Sequence, residues 1–167
     1  MKEEKRIRER IHYACVRDMI EDVGDRFKGH GAYAYRLNPR DKEIVKKTYE
    51  ELREDVRALS CAFIKNGLSG KNITLMSMMH YNWALVYHAA LCTGSVLIPL
   101  DRDWGVAELA PTVEKADTEV LIVENAILEK GEAISREVGC AAPIVLESGI
   151  DSLLDEGHDL LPEYLEK

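Results

Sequence analysis

The sequence predicts an α/β fold: a doubly wound, mostly parallel sheet with helices on both faces, preceded by an N-terminal helix and a short hairpin. Three observations carry that expectation. Strand-like and helix-like segments alternate along most of the chain, as they do where parallel strands are joined by helical crossovers. The strand-like segments are apolar at successive positions and not only at alternate ones, the pattern of a sheet covered on both sides. Finally, the stretch from Asn72 to Leu100 holds no Lys, Arg, Asp or Glu, although 31% of the chain is charged. It is longer than the ~20 residues of a membrane-spanning helix. However, Ser77, His80, Tyr81, Asn82 and Thr93 interrupt it, and Gly94 and Pro99 break it. A strand, a helix and a second strand account for it better, as a βαβ unit at the centre of the sheet. A helix so poor in charge is expected to lie under another layer of protein.

The elements follow in order. From about Lys5 to Lys28, Ile7, Ile11, Cys15, Met19, Val23 and Phe27 recur every four residues between charges, which predicts an amphipathic helix ended by Gly29 and Gly31. "AYAYRL" alternates like a strand, "NPRDKE" reads as a turn and "IVKK" as the return strand. Thr48 and Glu51 form a capping box for a helix whose buried stripe is Leu52, Val56, Leu59 and Phe63, closed at Asn66 and Gly67. "NITLMSM" is a strand, "NWALVYHAALCT" a helix and "SVLIPL" a strand. Asp103 is the expected N-cap of the helix "WGVAELAPTVEKA", which Pro111 would bend or shorten. "TEVLIV" is a third strand, "NAILEKGEAISREV" a helix with Gly131 as its weak point, and "APIVLE" a fourth strand. The tail from 148 to 167 is acidic and reads as one or two short helices.

The bulk numbers exclude some functions. A net charge of −8 argues against a nucleic-acid binder, which needs a basic face. Cys15, Cys61, Cys92 and Cys140 have neither C-x-x-C nor zinc-ligand spacing. They read as buried or partly buried thiols of a reducing compartment, the cytoplasm. The opening "MKEEKRIRERIHYA" is charged with no apolar core segment, so no secretory leader is expected, and no transmembrane segment is expected either.

Ligands of open α/β sheets gather at the carboxyl ends of the strands. Here those ends carry Met79, His80 and Tyr81, then Asp101, Arg102 and Asp103, then Glu124 and Asn125. His80, Asp101 and Glu124 are therefore the candidate pocket residues, a histidine beside acids being suited to proton transfer. The plainer alternative has Asp101, Asp103 and Asn125 capping helices and His80 closing a strand. Met76, Met78 and Met79 could line a pliable pocket or simply fill core, and Trp83 and Trp104 could anchor an interface. "GLSGKN" lacks the G-x-x-x-x-G-K-[ST] spacing and precedes a strand, and neither G-x-G-x-x-G nor G-x-S-x-G occurs. The residues alone assign no catalytic, cofactor-binding or metal-ligating group.

The ordered set Thr48, Tyr49, Glu51 and Leu52; Gly70 and Ile73; Trp83; Gly94, Pro99 and Leu100; Glu108 and Leu109; and Val120 resembles the opening of the AMP-forming acyl-CoA synthetases, a branch of the adenylate-forming ligases. The resemblance covers roughly residues 10 to 147 and leans to the long-chain fatty acyl branch. Lys71 replaces the usual acid after Gly70, and "HYNW" replaces an N-x-x-E-W form. The family's phosphate loop, adenine-site motif, ribose-binding Asp and catalytic Lys do not occur here. The resemblance therefore implies an N-terminal α/β part of a larger enzyme, inactive alone: a helix over 1–30, a hairpin over 31–47, an α/β core over 48–147 and an acidic tail over 148–167 leading to a phosphate loop. It implies ATP, Mg²⁺ and CoA as the parent enzyme's cofactors. The implied partners are a carboxylate substrate such as a fatty acid and the rest of the ligase. Separately from the resemblance, the charge-poor helix that begins at Trp83 would, if exposed, pair two copies of the fragment. The competing expectation is a stand-alone doubly wound module for a small ligand or a protein partner.

Overall fold

The computed structural model describes residues 11–37 and 40–165. Helix α1 (Val16–Arg26) leads into an antiparallel hairpin of β1 (Gly31–Tyr35) and β2 (Val45–Thr48), followed by α2 (Tyr49–Lys65). Then come β3 (Asn72–Met76), α3 (Tyr81–Cys92), β4 (Val96–Pro99), α4 (Val106–Lys115), β5 (Val120–Val123), α5 (Leu128–Val138), β6 (Ile144–Val145) and α6 (Ser148–Leu165). Strands β3 to β6 form one parallel sheet in the order β4-β3-β5-β6. The chain runs from β3 outward to β4 and then crosses to β5 on the other side of β3, so the strand order reverses beside β3.

The strand alternation sorts the core into two layers. Ile73 and Leu75 of β3 and Val120 and Ile122 of β5 pack with α2, α3 and Ile150 of α6. Met76, Leu121 and Val123 pack with Leu109, Ala110 and Val113 of α4 and Ile134 of α5. This period-2 split is why β3 and β5 are apolar at nearly every position. The edge strand β4 departs from it, since Val96 remains 56% exposed.

Several expectations change. Helix α1 begins at Val16 with Cys15 as its N-cap. Ile11 and Cys15 are exposed instead of lying on a buried stripe. Residues 5–10 of the expected helix, and 38–39 of the hairpin turn, lie outside the described residues. Gly105, not Asp103, caps α4, and its amide donates to Glu108 Oε2 at 3.0 Å. The helix continues through Pro111. Gly131 is a close-packing site, because a Cβ there would sit 2.9 Å from Val123 Cγ1. The tail forms a single helix, α6, running through Gly157 and Pro162. It lies on α2 so closely that a Cβ on Gly157 would fall 2.0 Å from the Ala58 carbonyl oxygen. Cover for α3 comes largely from this chain: α1, α2, α6 and the hairpin tyrosines Tyr33 and Tyr35 all pack against it.

Candidate functional site

The carboxyl ends of three strands are tied by one buried carboxylate. Glu124 follows β5 and is 4% exposed. Its Oε2 accepts from the Met78 amide, just beyond β3, at 2.6 Å. Its Oε1 meets the guanidinium of Arg102, from the loop after β4. Lys130 of α5 holds that loop by donating to the carbonyls of Arg102 (2.7 Å) and Trp104 (2.9 Å). Asp101 stays exposed and accepts from the Asp103 amide at 2.9 Å, closing a turn. Both oxygens of Glu124 are thus engaged, which suits a staple between strand ends better than a base.

His80 is the N-cap of α3. Its Nδ1 accepts from the Asn82 amide at 3.3 Å, which in the neutral ring places the proton on Nε2. That Nε2 is buried and has no hydrogen-bond partner among the described residues. Burial lowers the His80 pKa, while Glu147 and Asp151 pull it upward. The neutral cap is therefore the favoured form. Asn82 extends the same seam, donating to the Leu146 carbonyl (3.1 Å) and to Asp151 (2.8 Å), and the Asn125 amide donates to Glu147 (2.8 Å). His80, Asp101 and Glu124 consequently have separate duties: a cap, a turn and a staple. Of the methionines, Met76 is core, whereas Met78 and Met79 are 62% and 80% exposed.

A second buried polar cluster escaped the sequence reading. Asp55 of α2, 5% exposed, accepts from Lys47 Nζ of β2 (2.7 Å), the Tyr81 hydroxyl of α3 (2.6 Å) and His158 Nε2 of α6 (3.0 Å). Burial and the Asp55 hydrogen bond push the Tyr81 pKa far upward, so the phenol stays protonated. The available signal was an acid between Leu52 and Val56 on the buried stripe of α2. Burial also raises Cys61 and pushes Cys92 up to about 11, which leaves both as unreactive thiols. Among the described residues no group of three or more His, Cys, Asp or Glu could hold a metal ion. With Glu124 engaged, these residues do not fit Mg²⁺ or a nucleotide phosphate by themselves. No helix among the described residues is long and apolar enough to cross a membrane.

Comparison with known proteins adds what the site geometry alone does not. The AMP-binding enzyme family matches residues 20–158 of this chain. The chain belongs to the AMP-binding enzyme family. Among solved structures, the chain is similar to a long-chain-fatty-acid-CoA ligase from Archaeoglobus fulgidus, with 15% identity and a TM-score of 0.78 over 88% of this chain and 31% of that one. It is also similar to the A-PCP didomain of a carboxylic acid reductase from Segniliparus rugosus in complex with AMP: 14% identity, TM-score 0.70, 91% of this chain and 24% of that one. VinN in complex with L-aspartate matches with 22% identity and a TM-score of 0.67, over 86% of this chain and 39% of that one. No curated protein matches the chain. At these identities the structural likenesses establish the fold. The chain spans 24% to 39% of the length of these solved structures.

Proposed function

We propose that this chain is the N-terminal α/β part of an ATP-dependent acid–thiol ligase of the AMP-binding family, with its segments divided as the sequence suggests. The observation that carries the reading is the family match over residues 20–158. The parent activates a carboxylate, a fatty acid in our reading, as an acyl-adenylate with release of pyrophosphate, and CoA then displaces AMP. In that reaction ATP, Mg²⁺ and CoA supply the chemistry, and developing phosphate charge must be neutralised by groups outside the residues described here. These residues contribute a scaffold: the Glu124–Arg102 staple and the His80 cap fix the strand ends, and α6 is clamped to α2. The chain alone is expected to form no adenylate, the parent is expected in the cytoplasm, and the rest of the ligase is its principal partner.

The test is to assay the whole reading frame that carries these residues for ATP–pyrophosphate exchange with a panel of carboxylic acids, and for thioester formation with CoA. Exchange with fatty acids together with an acyl-CoA product is the expected result. Exchange with amino acids and no thioester would move the protein to another branch of the family. Absence of exchange with every acid would contradict the ligase reading.

A further inference from the structure

We propose that the open cavity between β1 and α3 binds a small quaternary ammonium ligand. Its walls are aromatic on both sides. Tyr33 and Tyr35 of β1 form one wall and Trp83 and Tyr87 of α3 the other, around a volume of about 390 Å³. The Trp83 and Tyr87 rings stack with centroids 5.5 Å apart and planes 13° from parallel. Tyr35 stacks on Tyr81 with centroids 5.2 Å apart, and Tyr33 meets Tyr81 edge-on at 5.5 Å. Met79, 80% exposed, and Tyr87, 37% exposed, leave the mouth open to solvent.

The charge of the ligand follows from what the walls hold and what they lack. The face of an aromatic ring is electron-rich and attracts a cation, most strongly where water is excluded. No Lys or Arg lines the cavity to repel one. The same cluster of rings already holds an ammonium group: Lys47 Nζ lies 5.4 Å from the centre of the Tyr81 ring, its charge answered by Asp55 at 2.7 Å. Beyond the walls the field is negative. Burial is the largest influence on the pKa of His80, a lining residue, but Glu147 and Asp151 oppose it from outside the cavity. The chain carries −8 overall, which draws cations toward its surface. The absence of Asp and Glu from the lining decides between kinds of cation. A primary ammonium has three N–H donors that must find acceptors on leaving water. A quaternary ammonium has none, so rings alone suffice to hold it.

Titration of Trp83 fluorescence with choline tests this on the 167-residue chain. Trp104→Phe leaves Trp83 as the one tryptophan that reports. The control ligand is 3,3-dimethyl-1-butanol, which has the shape of choline without its charge. Choline should change the emission saturably, at a concentration at least tenfold below that needed for the alcohol. Tyr87→Leu keeps an apolar wall but removes one ring, and should abolish that preference; circular dichroism checks its fold. The comparison of the two ligands needs no change in the cavity, so it decides even where Tyr87→Leu fails to fold. Equal affinity for choline and the alcohol makes the cavity merely apolar and overturns the proposal. No response to choline overturns it too, as does a preference that survives in folded Tyr87→Leu. Equilibrium dialysis of labelled choline against the whole reading frame should show binding that Tyr87→Leu removes. Its absence there would mean that the rest of the ligase covers the cavity, which overturns the proposal equally. These readouts are independent of adenylate formation, so this proposal and the ligase reading can fail separately.

Discussion

Asp55 gathers three donors from three separate elements onto one carboxylate with almost no access to water. Removing it leaves the buried Tyr81 hydroxyl without this acceptor and takes the counter-charge from Lys47, whose side chain is 26% exposed. Hydrogen bonds to a charged group contribute ~1.5–3 kcal/mol each, so Asp55→Ala, which loses all three, should lower the urea midpoint more than the loss of any single donor. Tyr81→Phe removes only one neutral donor to the charge and should cost ~1.5–3 kcal/mol. Equal losses in the two variants would contradict the view of Asp55 as the centre of the cluster. His80 and His88 act in the opposite sense, because burial is the largest cause lowering both pKa values. Near and below the ordinary histidine value of ~6.5, the unfolded chain binds protons that the folded chain refuses. Their contribution is complete above that value and is lost as pH falls below it toward the lowered folded values. Thermal stability should therefore drop between about pH 7 and pH 5. His80→Asn, which keeps a capping side chain, should flatten that drop. An unchanged slope would remove His80 from the explanation.

At the scale of elements, the contact between α2 and α6 is set by one missing side chain. Gly157→Ala improves helix propensity by about 1 kcal/mol. Yet the new Cβ would fall 2.0 Å from a backbone oxygen that is itself held in a helix. The clash should win, with a net loss of at least ~2 kcal/mol as α6 is lifted from α2. At Gly131 the obstacle is a valine methyl 2.9 Å away, which can shift, so Gly131→Ala should cost about 1 kcal/mol. Denaturant melts of the two variants order them; a Gly157→Ala protein as stable as the parent would mean α6 does not sit where described. The capping box at the start of α2 is complete, with Thr48 Oγ1 accepting from the Glu51 amide at 3.2 Å and Glu51 returning to the Thr48 amide at 2.7 Å. Thr48→Ala should cost about 1 kcal/mol.

Across the whole molecule, the sheet was legible because its strands announce themselves. Ile73 and Leu75 face one layer and Met76 the other, so the two-sided apolar runs translate directly into a covered parallel sheet. The capping box of α2 and the end of α3 at Gly94, with φ +73°, were legible for similarly local reasons. The misreadings share a different cause, since each was decided by tertiary contact. Gly131 looks like a weak point of its helix in the sequence, but both it and Gly157 mark places where another element presses close. The charge-poor α3 was expected to lie under another layer of protein, but which segments form that layer was not legible: α1, α2, α6 and the hairpin tyrosines pack against it. At the strand ends, His80 and Asp101 have local capping and turn contacts close to the plainer alternative read from the sequence, whereas the contacts of Glu124 with Met78 and Arg102 join segments far apart in the chain and leave no trace in spacing. The central claim is therefore that this part of an AMP-binding enzyme holds the strand ends in place and leaves the chemistry to other residues. Glu124→Gln in the whole reading frame tests it most directly, with melting temperature and ATP–pyrophosphate exchange measured on the same preparation. A clear loss of melting temperature with kcat/KM per folded molecule unchanged is expected; an unchanged melting temperature with exchange reduced a hundredfold or more would place Glu124 in the chemistry instead.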